Sequence, residues 1–147
     1  MKKSELLGRV GDAYARLLAA LDGLSEEAAS RTGLTSEWSV KDCLAHVAMW
    51  EREGARVVES IVAGTYRPRY DDETIERRNR EAVEAMRGRA YAEVLGELRA
   101  AHAELAALLE GLPEELGEET YGFKFIAGVT FDHMSHHAAQ IERFRES

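Results

Sequence analysis

The sequence predicts an all-α protein, a four-helix bundle with an extra short helix in the central connection. Apolar residues recur at three- and four-residue spacing almost throughout, whereas clean period-two alternation is hard to find. The composition is rich in helix formers such as Ala, Glu, Leu and Arg, with only two prolines in 147 residues. Four long amphipathic stretches and one shorter one, separated by Gly, Pro, Ser and Asp signals, then make a bundle the natural architecture.

The first helix spans about Ser4 to Leu21, with Leu6, Val10, Tyr14 and Leu17 on one stripe, and ends at "DGLS". A polar connection follows, with room for one helical turn. "SVKD" opens the second helix: Ser39 can cap it and Asp42 can reach back as in a capping box, with Gly64 as the stop after Val62 or Ala63. "TYRPRYDD" reads as a loop around Pro68, after which Asp71 or Asp72 caps a shorter helix through Ile75, Asn79, Val83 and Met86. Gly88 interrupts that helix, and a further one runs from about Tyr91 to Leu109 before "GLPEELGEE". The last spans about Phe123 to Arg145. No repeat, low-complexity tract or linker divides residues 1–147, so a single domain is expected, large enough to bury a core without staples.

Charge and composition exclude several classes. A formal net charge of -8 argues against a partner whose phosphates need a basic stripe, so no nucleic acid is expected. Cys43 is the single cysteine, which rules out an internal disulfide and gives no sign of an oxidising compartment. The first residues lack the apolar run of a signal peptide, and no stretch reaches the roughly 18 apolar residues of a spanning helix. A cytoplasmic protein with no membrane partner is the expectation.

Three of the five histidines fall in "TFDHMSHHAAQIERF", residues 130–144. With His133 set to zero on a continuous helical wheel, His137 falls at about 40°, among Ile126 and Phe144 at about 20°, Phe123 and Ile141 at about 80°, and Met134 at about 100°. His136 falls at the edge, beside Gln140. Two imidazoles four apart on a buried face need partners. Either carbonyls and carboxylates satisfy them as core residues, or they are two ligands for one metal, as one helix supplies in H-E-x-x-H sites. "HMSHH" lacks the Glu of that motif, so a zinc-protease reading fails.

His46, at the rim of the apolar arc of "WSVKDCLAHVAMWE", is the candidate third ligand. Three histidines with an open position match the ligand count of a catalytic site. Asp42 could orient His46 or simply cap its helix. Candidate general bases are Glu53 and Glu51; for Glu51, an interhelical ion pair is the alternative. Cys43 sits on the apolar arc and reads as core packing rather than a nucleophile. His102 follows a leucine stripe and reads as a rim or core residue, and Trp38 and Trp50 as packing between helices.

"EWSVKDCLAHVAMWERE" followed far downstream by "TFDHMSHHAAQIERFRE" resembles the DinB-like superfamily, and the intervening segment resembles its DfsB/ClbS-type branch. The likeness covers nearly the whole chain. It implies a four-helix bundle whose metal triad is one histidine on the second helix plus an H-x-x-x-H pair on the last, here His46, His133 and His137. His136 falls where relatives often carry an acidic residue, so no ligand role is carried onto it. The resemblance further implies a divalent metal, zinc or nickel foremost, and hydrolase or thiol S-transferase chemistry on an electrophilic small molecule, with a low-molecular-weight thiol as a second cofactor in some members. Detoxification or stress protection is the implied role, and a homodimer the implied assembly. The competing class is a non-catalytic protein that binds or sequesters a small molecule on the same bundle.

Overall fold

The structure is a computed structural model that describes residues 1–66 and 70–147. Pro68, expected in a loop, lies outside the described residues. The elements are α1 (Lys3–Leu21), α2 (Glu26–Ser30), α3 (Val40–Ala63), α4 (Asp72–Met86), α5 (Tyr91–Leu109), α6 (Tyr121–Val129) and α7 (Phe131–Glu146). Among the described residues no strand forms beyond an isolated bridge between Lys2 and Glu115, and no helix is long and apolar enough to cross a membrane.

Local chemistry sets the ends of the helices. Ser39 and Asp42 form the expected capping box at the start of α3, each side chain accepting from the other's backbone N–H at 3.1 and 3.0 Å. Gly64 ends that helix at φ 72°, a left-handed conformation open to glycine without strain. Asp71 caps α4 by accepting from Thr74 N–H at 2.7 Å. The polar connection after α1 does carry a short helix, α2, capped by Ser25.

Side-chain pairing fixes the direction of each helix. Arg16 pairs with Glu142 at 2.8 Å, and the Arg145 guanidinium donates to the carbonyl of Ala20, so α1 and α7 run parallel. On the other side, Lys41 donates to the carbonyl of Arg89, Arg52 pairs with Glu97 and Arg56 with Glu104, so α3 and α5 are parallel as well. Contacts of His46 with His133 and of the Gly54 and Gly122 backbones with Val129 and Ile61 set α3 antiparallel to α6 and α7. The order is therefore up, down, down, up. Parallel neighbours cannot be joined by a tight turn, and the crossover between α3 and α5 carries α4, the extra helix expected there.

Leu6 and Leu17 from α1, Leu44 from α3, Leu98 and Leu105 from α5, and Ile141 from α7 are fully buried between the helices. Each such side chain contributes roughly 1.5–3 kcal/mol when removed from water. Gly54 lets the elements meet closely, because a Cβ there would stand 2.9 Å from Val129 Cγ2.

The last helix departs from expectation. It starts two residues earlier, at Tyr121, and breaks at Thr130, whose φ of -111° and ψ of -101° belong to neither helix. The Thr130 hydroxyl donates back to the Ile126 carbonyl at 2.6 Å while its own carbonyl accepts from Met134 N–H at 2.9 Å. One residue thus closes α6 and opens α7. A continuous wheel therefore holds for His133, His137 and Ile141 but not across to Phe123 and Ile126.

Candidate metal centre

His46 lies two turns into α3, and His133 and His137 lie in the first two turns of α7. The antiparallel crossing brings the three rings together. Their Nε2 atoms converge, His133 to His46 at 2.7 Å and His133 to His137 at 3.0 Å. One ligand atom from each can be chosen within 4.8 Å of the others, so this group could hold a metal ion. His136 is exposed beside His137 and points no nitrogen into the group.

Hydrogen bonds to the far side of the rings assign their protons. Asn79 Oδ1, from α4, accepts the Trp50 indole N–H at 2.7 Å; because indole only donates, the atom there is the oxygen. The same oxygen lies 2.8 Å from His46 Nδ1, so Nδ1 carries the proton and Nε2 presents a bare lone pair. His137 Nδ1 lies 2.9 Å from the Gln140 side-chain amide, and its Nε2 is bare when the amide oxygen faces the ring. His133 Nε2 then faces two lone pairs with at most one proton, and its Nδ1 is buried without a partner. A shared cation resolves three converging lone pairs as no proton arrangement does. Nitrogens on one tetrahedral zinc sit about 3.3 Å apart, given Zn–N of about 2.0–2.1 Å, and the two separations from His133 Nε2 lie within about 0.6 Å of that value.

The electrostatics agree. Burial, then the neighbouring His137, lower the His46 imidazole to about 4. Burial, then His46 and His137, lower His133 to about 2, and burial lowers His137 as well. All three are neutral at physiological pH, the state a metal requires of its ligands.

Beside the histidines opens a cavity of about 520 Å³, within the range of small-molecule sites. His46 and His133 reach it from one end, and Trp50, Tyr70, Phe125 and Lys124 line the rest with other aromatic and small residues. Among the described residues no carboxylate lines it.

The remaining sequence candidates stand elsewhere. Glu51 is fully buried on another face of α3, where its Oε1 lies 2.9 Å from His102 Nδ1 and the His102 ring stacks on Tyr14 at 3.6 Å. The interhelical pairing weighed for Glu51 is thus the arrangement found. Glu53 accepts from the Arg78 guanidinium at 2.6 Å, on the side of α3 that faces α4, and also pairs with the hydroxyl of Tyr70, so it stands behind the cavity wall rather than in its lining. Asp42 is used in the capping box, and the partner that orients His46 is Asn79. Cys43 is fully buried, and burial pushes its thiol far up, which removes it as a nucleophile. Sequence reasoning missed Asn79, although an amide on the apolar stripe of α4 was a visible signal. It also missed Trp50 as a cavity wall.

The sequence matches the DinB superfamily over residues 9–141. The chain belongs to the DinB superfamily. A search of curated proteins finds no match. Among solved structures, the fold is similar to the colibactin self-resistance protein ClbS in complex with a dsDNA, at TM-score 0.83 and 17% identity over 99% of this chain and 96% of that one. It is also similar to DfsB, described as a sibling lethal factor precursor, at TM-score 0.82 and 15% identity over 99% and 96%. An uncharacterised protein from Escherichia coli UTI89 matches at TM-score 0.81 and 15% identity over 99% and 93%. Identities this low show a shared fold, and at that level the DinB-like bundle and its DfsB/ClbS-type likeness are as expected.

Proposed function

We propose that this DinB-superfamily chain is a metal-dependent enzyme that acts on an electrophilic small molecule by hydrolysis or thiol transfer, in detoxification or stress protection. The observation that carries the reading is the convergence of three Nε2 atoms, that of His46 held bare by Asn79. His46, His133 and His137 would hold the ion, zinc or nickel foremost. When bound, such an ion supplies Lewis acidity that makes water or a low-molecular-weight thiol nucleophilic near neutral pH. Asn79 keeps His46 in its ligating tautomer, and Gln140 would do so for His137 through its amide oxygen. The aromatic wall excludes solvent and holds the organic substrate against the histidines. The description of ClbS as a resistance protein supports a protective role.

Metal analysis of protein purified without a histidine tag tests this. Roughly one equivalent of zinc or nickel, lost in His133→Ala, is the expected result. No stoichiometric metal, even after zinc or nickel is added back, sinks the proposal. A cytoplasmic homodimer belongs to the same proposal, by family analogy, and light scattering reads the assembly.

A second reading, a binding or sequestering protein, is favoured by the absence of a carboxylate in the cavity wall among the described residues. Without one, the described wall offers no carboxylate as general base next to a bound molecule. Tight binding of a ligand that emerges unchanged, undiminished in His133→Ala, would establish it.

A further inference from the structure

The cavity is chemically one-sided. In a protein of net charge -8, its wall holds no carboxylate and a single formal charge, the ammonium of Lys124, among the described residues. Lys124 is exposed on α6 and has no ion pair with any described residue. Deeper in, Trp50, Tyr70 and Phe125 surround the open volume with ring centroids 5.5 to 6.2 Å apart, and no pair among them is stacked. Trp50 meets both other rings edge-to-face and the Arg78 guanidinium lies 5.0 Å over Tyr70, so the three form one contiguous aromatic wall. Aromatic walls of this kind suit either a flat ring or a cation. The Arg78 charge is balanced by Glu53 at 2.6 Å, so the ammonium of Lys124 is the charge that decides: it disfavours a cation, and one ammonium suits one negative charge rather than a phosphate that wants several donors.

We propose that this cavity binds planar aromatic monoanions, aromatic carboxylates being the type, with the ring against the wall of Trp50, Tyr70 and Phe125 and the anion at Lys124. The assignment deepens the proposed function by naming the class of molecule held beside the histidines, and its charge selection depends on Lys124 rather than on a metal.

Calorimetric titration of the full chain, first stripped with EDTA and then reloaded with zinc, tests it with four probes: 2-naphthoate, 2-naphthamide, 2-naphthylmethylammonium and cyclohexanecarboxylate. In the stripped protein 2-naphthoate should bind roughly fivefold more tightly than the amide, the gain of one partly exposed charge contact. It should also exceed the cation and the non-aromatic acid. Lys124→Gln should abolish the preference over the amide, Lys124→Arg should keep it, and Phe125→Ala should weaken all three naphthyl probes. Equal or tighter binding of the amide or the cation, a preference that survives Lys124→Gln, or no binding of 2-naphthoate overturns the proposal. If the preference holds in stripped protein and no zinc can be reloaded, the metal reading fails while this one stands.

Discussion

Trp50 donates its indole N–H to the Asn79 side-chain oxygen at 2.7 Å, and that contact sets which nitrogen of His46 can bind a metal. The pair joins the long helix α3 to the crossover helix α4, so a residue outside the four bundle helices governs the centre. Asn79→Leu should therefore leave the fold intact and weaken zinc binding about 10- to 100-fold, the usual cost of losing a group that orients a ligand. Competition with a chromophoric chelator measures it, and unchanged affinity would refute the role.

The depressed imidazoles make a pH prediction for metal-free protein. His46 and His133 titrate near 4 and 2 in the folded state and near 6.5 when unfolded, and His137 is shifted in the same direction. Between those limits the unfolded chain binds more protons than the folded one, so stability rises with pH there. It is complete above about 6.5 and is lost as pH falls below that value. Urea unfolding at pH 5 should show uptake of two to three protons beyond the background set by carboxylates, and His133→Gln should remove about one of them. A slope unchanged by that substitution contradicts the assignment.

Glu51 and His102 offer a contrast. Burial raises the Glu51 carboxyl, opposed by its hydrogen bond to His102. A raised acid contributes stability that is full below its unfolded value and lost as pH rises through the folded one. Glu51→Gln removes that loss, so relative to the parent it should gain stability as pH rises. Glu51→Ala leaves the buried His102 Nδ1 without its partner and should cost about 1–3 kcal/mol. Neither should alter metal content; a loss of metal in Glu51→Gln would tie this pair to the centre.

Gly54 is a point of close approach between α3 and α6. Gly54→Ala places a methyl 2.9 Å from Val129 Cγ2 and 3.4 Å from Leu105 Cδ2, which are both buried. Overpacking of this kind costs about 1–3 kcal/mol, or a Tm lower by roughly 3–12 °C at this size. Calorimetry would read the shift, and an unchanged Tm would mean that α6 moves aside freely.

How much of this was legible in the sequence depended on how local each signal was. The capping box at Ser39 and Asp42, the stop at Gly64 and the cap at Asp71 are written within four residues of the ends they set, and all stand as expected. His133 and His137 share a face because both follow the break at Thr130. The break itself was hidden, since a single threonine inside an apolar stripe carries no period of its own. His46 was reached partly through the superfamily resemblance, 87 positions from His133. Asn79 showed only as an amide on an apolar stripe, and its partner, like that of Glu51 in His102, was out of reach because it depends on how α4 and α5 pack on α3, whereas periodicity describes one helix at a time.

The parallel pairing of α1 with α7 also bears on how the chain comes into being. During synthesis α3 can find α5 soon after both emerge, but α1 must wait for the last helix, with Leu6, Val10 and Leu17 lacking their main cover until then. At ordinary rates of translation that interval is roughly ten seconds. Between the synthesis of α1 and that of α7 the nascent chain thus carries an apolar stripe without its main cover, a window in which a chaperone has something to hold.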